Sequence, residues 1–93
     1  MRTQKPSVKI ENWAVVPGLN TAGYQSLRPG NLLVGKVFGH PRLEEGAFVF
    51  SSPIVSLDMN NQAVITRNTV YRLGEASRDY KAWTREHEPG AAA

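Results

Sequence analysis

The residues that decide the fold run from position 32 to position 74, LLVGKVFGHPRLEEGAFVFSSPIVSLDMNNQAVITRNTVYRLG. Short runs of β-branched and aromatic residues alternate there with Gly, Pro and Asn, a pattern typical of short strands joined by turns. Pro53 cannot donate a ladder hydrogen bond, so it marks a strand end, a bulge or an edge. We expect a mainly β fold, a curled sheet or small open barrel built as one antiparallel meander. Its five predicted strands are Leu32–Phe38, Ala47–Ser51, Ile54–Asp58, Ala63–Thr66 and Thr69–Leu73.

The residues before the meander predict one extended segment and one loop. Alternation over Val8–Val16 is imperfect, and it indicates a short strand or strap that packs on the meander. Residues 17–31 contain two Pro-Gly pairs and read as a loop, with Tyr24 and Leu27 as its anchors to the core.

A helix is predicted after the meander. Ser77 is a suitable N-cap, and the helix is expected to run from Arg78 to about His87 before Pro89 ends it. Tyr80 and Trp83 lie at helical spacing, so we expect their stripe to cover one side of the sheet.

The 93 residues predict a single domain over positions 1–93, with residues 1–7 and 89–93 flexible. The absence of cysteine excludes disulfides and a cysteine-based zinc site. No stretch reaches the roughly 18 apolar residues of a membrane span, and the N-terminus lacks the apolar core of a secretion signal. We therefore expect no membrane association and a cytoplasmic protein.

The net charge of +3 comes from eleven basic and eight acidic residues, and the excess lies in residues 1–31. It is compatible with weak attraction to nucleic acid but falls short of a dedicated basic arm. A solvated surface is the interpretation that we favour.

No catalytic constellation is visible in the sequence. His40 and His87 are far apart and lack metal-ligand spacing, while Glu44 and Glu45 are adjacent and do not flank a common bond. We predict a protein that is not an enzyme and that has neither a metal site nor a cofactor.

The connection GHPRLEEG between the first two meander strands is the best candidate for a binding site. His40 and Arg42 flank the rigid Pro41, and the guanidinium fork of Arg42 suits phosphate or carboxylate. In a purely structural alternative, Arg42 pairs with Glu44 or Glu45, and His40 caps a backbone carbonyl.

Arg67 and Arg72 add cations near the last hairpin. Tyr71, with Phe48 and Phe50, could form a stacking platform for bases, although we favour placing these rings in the core. The candidate binding residues are therefore His40, Arg42, Arg67, Arg72 and Tyr71.

Two segments resemble a group of small bacterial proteins that prophages and other mobile elements often encode. GKVFGHPRLEEGAFVFSSPIVSLD at 35–58 and VITRNTVYRLGE at 64–75, followed by the Tyr80/Trp83 helix, share the group's GHPR…SSPIV…VYRLGE layout. The resemblance covers about half of the chain and transfers no catalytic or binding residue. The resemblance implies an accessory binding protein. One class of such proteins inhibits host defence systems.

The expected function is a non-enzymatic binding module that acts through protein–protein contact, as a mobile-element-encoded inhibitor. The alternative is a nucleic-acid or nucleotide binder that uses an arginine and aromatic surface. An open meander leaves its edge strands unpaired. A homodimer in which two such edges pair is therefore a further alternative.

Overall fold

The computed structural model describes residues 6–18 and 23–87. Within them, the chain forms six strands and one helix, namely β1 (Ser7–Val16), β2 (Leu32–Phe38), β3 (Ala47–Phe50), β4 (Ile54–Asp58), β5 (Ala63–Thr66), β6 (Val70–Leu73) and α1 (Arg78–His87). The mainly β fold with a C-terminal helix is confirmed, and the five predicted strands differ from β2–β6 by at most one residue. Most residues of the termini expected to be flexible lie outside the described part, although Ser7 already begins β1.

The prediction of one continuous antiparallel meander is wrong, because β1 is a full strand in the middle of the sheet. The strand order is β3-β2-β1-β6-β5-β4. β1 pairs antiparallel with β2 and parallel with β6, where Val8 lies opposite Tyr71 and Ile10 opposite Leu73. Val8 and Ile10 are both fully buried, as expected for a strand with neighbours on both sides.

The sheet curls because the chain joins its two edge strands directly. β3 and β4 run in the same direction and are connected by residues 51–53 alone. That connection spans at most about 14 Å between Phe50 and Ile54, whereas a flat sheet of six strands would separate its edges by about 24 Å. The sheet therefore bends back on itself, without closing into a barrel.

Hydrogen bonds fix the corner between β3 and β4. The Ser51 N–H donates to Leu33 O (2.8 Å), and the Ser51 hydroxyl accepts from the Leu33 N–H (2.9 Å). Ile54 exchanges backbone bonds with the residues before β2, donating to Asn31 O (2.9 Å) and accepting from the Gly30 N–H (2.8 Å). Pro53, which was expected at a strand end, a bulge or an edge, lies in this corner between two strand ends.

A β-bulge interrupts β1 between Glu11 and Ala14. Asn12 adopts a positive φ of 54°, and its N–H donates to Glu75 O at 2.7 Å. Beyond the bulge β1 leaves β6 and instead meets the segment that leads into α1, with Trp13 bridged to Ala76.

The helix covers the sheet as predicted. The Ser77 hydroxyl accepts the Tyr80 N–H at 3.1 Å, which confirms the N-cap. The Tyr80 ring is buried between Trp13 and Trp83, with ring centroids 5.6 and 5.8 Å away, and its hydroxyl donates to the backbone carbonyl of Gln25 at 2.6 Å. Tyr24 packs against the same ring at 5.4 Å, so its predicted role as a loop anchor is also confirmed.

Candidate functional site

The loop of residues 39–46 connects β2 to β3 and is held by two local hydrogen bonds. Gly39 has a φ of 79°, and its N–H donates to Glu45 Oε1 at 2.6 Å. The His40 Nδ1 accepts the backbone N–H of Arg42 at 3.0 Å. His40 therefore acts as an acceptor toward the backbone and does not cap a carbonyl through that nitrogen. Its hydrogen sits on Nε2 in this arrangement, which leaves that nitrogen as a donor.

The predicted ion pair between Arg42 and a neighbouring glutamate is absent from the part of the chain that the structure describes. Glu45 binds the Gly39 amide instead, and Glu44 accepts the Ala47 N–H through its backbone carbonyl. Arg42 is exposed. Among residues 6–18 and 23–87, its guanidinium has no ion-pair partner.

The loop forms one wall of a cleft of ≈ 590 Å³. This volume falls within the range of about 300–1,000 Å³ that small-molecule sites occupy. The turn between β5 and β6 forms another part of the lining, and Pro6, just before β1, completes it. The lining residues are Pro6, His40, Pro41, Arg42, Asn68 and Thr69.

Tyr71 lies beside this cleft but does not expose its ring. Tyr71 is 6% exposed and Thr69 8%. Burial raises the pKa of the Tyr71 hydroxyl, and a hydrogen bond with the Thr69 side chain partly opposes that rise. The structure therefore places Tyr71 in the core, where it supports the Thr69 wall.

The three candidate arginines do not line one site. Arg67 is exposed in the turn just before Asn68, and the cleft wall includes Arg42 but neither Arg67 nor Arg72. Arg72 lies opposite Lys9 in the sheet, and its Nε donates to Ser7 Oγ at 3.2 Å.

Phe48 and Phe50 are exposed, which corrects their assignment to the core. Their exposures are 59% and 58%, and their rings meet edge to face with centroids 5.6 Å apart. Side chains alternate along β3, so Val49 between them turns toward the core while both rings lie on the other face. The alternation in the sequence places the two rings on one face but does not decide which face is buried.

The backbone of Phe48 and Phe50 faces the free edge of β3. Bonded and non-bonded pairs alternate along an antiparallel ladder. Ser51 is bonded to Leu33, so Val49 two residues earlier uses its N–H and C=O toward β2. The N–H and C=O groups of Phe48 and Phe50 consequently point away from β2. Residues 47–50, together with these outward groups, form the β3 edge.

The described residues 6–18 and 23–87 contain no group of three or more His, Asp or Glu side chains able to hold a metal ion. The helix among them is neither long nor apolar enough to cross a membrane.

Comparisons with protein-family models, with curated protein sequences and with solved structures gave no match to this chain.

Proposed function

We propose that this protein is a non-enzymatic binding module that recognises a partner protein through the β3 edge. The observation that carries the proposal is the pair of exposed rings, Phe48 and Phe50, on a strand with unpaired backbone groups. An exposed strand edge with large apolar side chains is a template for pairing with another chain.

Both side chains and backbone would contribute to binding. Covering roughly 100 Å² of each ring contributes about 2–3 kcal/mol per ring. The outward N–H and C=O groups of Phe48 and Phe50 can accept an added strand, which supplies main-chain hydrogen bonds. The occupant is therefore an extended segment whose apolar side chains lie at every second position.

The neighbouring strand shapes what this segment must carry. Lys36 on β2 lies opposite Phe48 on the outer face and is exposed, whereas Val34 opposite Phe50 is buried. The surface is thus cationic at one end and apolar at the other. An acidic residue near Lys36 and an apolar residue near Phe50 would complement it.

The resemblance to mobile-element proteins extends the proposal to the partner's origin. The resemblance implies accessory binders, with inhibitors of host defence systems as one class. For a member of that class, a strand of the host protein would occupy the β3 edge. A second copy of this chain is the competing occupant.

The test uses matched variants at one position. Extended peptides are selected from a random library on the immobilised protein, and their affinity is then measured for the wild type, Phe48→Ala and Phe48→Pro. Both variants lack the ring, and the proline also lacks the outward N–H while leaving the ladder to β2 intact. Val55→Ser, which truncates a side chain 57% exposed on β4, is the control.

We expect Phe48→Ala to weaken binding by about 30- to 150-fold, which is the equivalent of about 2–3 kcal/mol for the lost ring. Phe48→Pro should weaken it further, and Val55→Ser should leave it unchanged. The bound peptide should also slow amide hydrogen exchange at Phe48 and Phe50. Equal affinities for the alanine and proline variants, with unchanged exchange at both amides, would rule out strand addition. A concentration-dependent dimer that excludes the peptides would identify a second copy as the occupant.

Binding of single-stranded nucleic acid is a second candidate function, favoured by Lys36 beside the exposed rings. Bases stack on such rings while a cation contacts the phosphates. This candidate predicts that an oligonucleotide binds at low salt, that binding falls as salt rises, and that Phe48→Ala and Lys36→Ala both weaken it. If no binding of the oligonucleotide is detected at low salt, this second candidate function is wrong.

A further inference from the structure

We infer that the cleft beneath the 39–46 loop is an oxyanion site, which takes a phosphate or carboxylate group carried by a small organic molecule. This inference is independent of the β3 edge, because none of the residues of that edge lines the cleft.

The cleft offers hydrogen-bond donors and no acidic side chain. Of its six lining residues, Arg42 supplies a permanently charged guanidinium, Asn68 an amide and His40 a ring nitrogen. Neither Glu44 nor Glu45 is part of the wall. A cation flanked by neutral donors, with the nearby carboxylates excluded, complements an anion.

The loop is arranged so that this cation stays available. Glu45 is three residues from Arg42 and would be its natural partner, but its carboxylate binds the Gly39 N–H at 2.6 Å. The bond from the Arg42 N–H to His40 Nδ1 fixes the imidazole, so the remaining ring nitrogen, Nε2, carries the hydrogen. Both groups are thus set up as donors before any ligand arrives, which lowers the entropic cost of binding.

The part of the lining formed by Asn68 and Thr69 is fixed to the core. Thr69 is only 8% exposed. The Thr66 N–H and hydroxyl both donate to the Thr69 carbonyl, at 2.9 and 3.1 Å. Asn68 is therefore presented from a turn that is fixed to the core. The cleft volume of ≈ 590 Å³ exceeds that of a bare ion, which indicates that the anion is attached to an organic group.

The experiment follows backbone amide signals by NMR while the full-length protein is titrated with inorganic phosphate, with acetate and with adenosine monophosphate. Saturable shifts are expected at the amides of residues 39–43 and 68–69. A response to phosphate and the nucleotide but not to acetate assigns the ligand as a phosphate, and the reverse assigns it as a carboxylate. The nucleotide should bind more tightly than phosphate alone if the rest of the cleft holds the organic group.

Arg42→Ala should weaken binding by about tenfold to a hundredfold, because a charge-assisted hydrogen bond is lost. Arg42→Lys keeps the charge but loses the fork, so we expect an intermediate affinity. Arg85→Ala removes the same charge from the exposed surface of α1 and is the control.

The inference is overturned if no probe gives a saturable shift at the cleft amides. It is also overturned if Arg85→Ala weakens binding as much as Arg42→Ala, since the effect would then come from net charge. Thermal unfolding of each variant verifies that it is folded. Arg42 is exposed, so its replacement should leave the fold intact.

Discussion

Replacing Gly35 with alanine should destabilise the protein more than any other single glycine-to-alanine change in β2 or its loop. Gly35 is buried on β2 with a φ of 157°, a conformation that residues with a side chain rarely adopt. A Cβ at this position would lie 3.0 Å from Glu11 O, from Ile10 Cγ1 and from Trp13 Cα. Two of these three atoms belong to the backbone of the β1 bulge, so they cannot move aside as the end of a flexible side chain would.

Two effects set the magnitude. A sparsely populated backbone conformation costs about 1–3 kcal/mol, and forcing an extra carbon into a packed site costs a further 1–3 kcal/mol or so. The bulge resists displacement because the Asn12 N–H is bonded to Glu75 O at 2.7 Å. We expect Gly35→Ala to lower the free energy of unfolding by about 3–4 kcal/mol, out of roughly 5–14 kcal/mol for a domain of this size.

Urea unfolding of the wild type and of two variants measures the loss of unfolding free energy, and thermal unfolding measures the corresponding shift in midpoint. Gly39→Ala is the matched control, since Gly39 also has a positive φ, 79°, but a Cβ added there would meet no atom within 4 Å. Gly39→Ala is therefore expected to cost only the strain of a positive φ for a residue with a Cβ, about 1 kcal/mol of unfolding free energy. The midpoint of thermal unfolding should fall by about 15 °C for Gly35→Ala and by about 5 °C for Gly39→Ala. Equal losses for the two variants would refute the claim that the bulge crowds Gly35.

Three other perturbations test the helix and the β1 bulge. Ser77→Ala should cost about 1 kcal/mol of unfolding free energy and Ser77→Asp much less, measured by urea unfolding, because only the aspartate can still accept the Tyr80 N–H. Tyr80→Phe should cost about 1 kcal/mol in the same assay, since it leaves the Gln25 carbonyl without this donor. The Glu75 N–H bond and then Lys9 lower the pKa of Glu11 below its usual 4.5. The contribution of the Glu11 carboxylate to stability is therefore complete above pH 4.5 and is lost as pH falls through the lowered pKa. The difference in unfolding free energy between wild type and Glu11→Gln should shrink on acidification. A difference that does not change with pH would contradict this role of Glu11.

The local elements could be predicted from the sequence because their signals are local. Residues 47–50 and 54–58 are short β-prone runs separated by a proline, and the structure contains both strands. The helix was predictable with both ends, because the Ser77 cap and Pro89 act within a few residues of the helix itself. Arg67 and Asn68 read as a two-residue hairpin turn with Asn68 in the left-handed conformation, but Asn68 does not have a positive φ. The turn before β5 contains one at Gln62 instead, with φ 50°.

The position of β1 could not be predicted, because strand partners are chosen by contacts distant in sequence. Alternation over Val8–Val16 is broken by the bulge at Asn12. The broken pattern left a short strand and a strap both open, each packed on the meander and neither placed at its centre. The parallel pairing with β6 joins residues more than sixty positions apart. No turn residue encodes such a pairing.

The candidate site was also predictable only in the part that depends on local sequence. The loop with His40 and Arg42 was predictable from its proline and its charges, but its position across from Asn68 depends on β1 lying between the β2–β3 hairpin and β6. The free edge of β3 also depends on strand order. In a continuous meander β3 would pair with β4, whereas in the observed order β3 and β4 are the two edges of the sheet. The cleft and the free edge of β3 therefore both depend on the strand order around β1. Ile10→Asp places a carboxylate at a fully buried position of β1, so it should abolish peptide binding at the β3 edge and the NMR response of the cleft together.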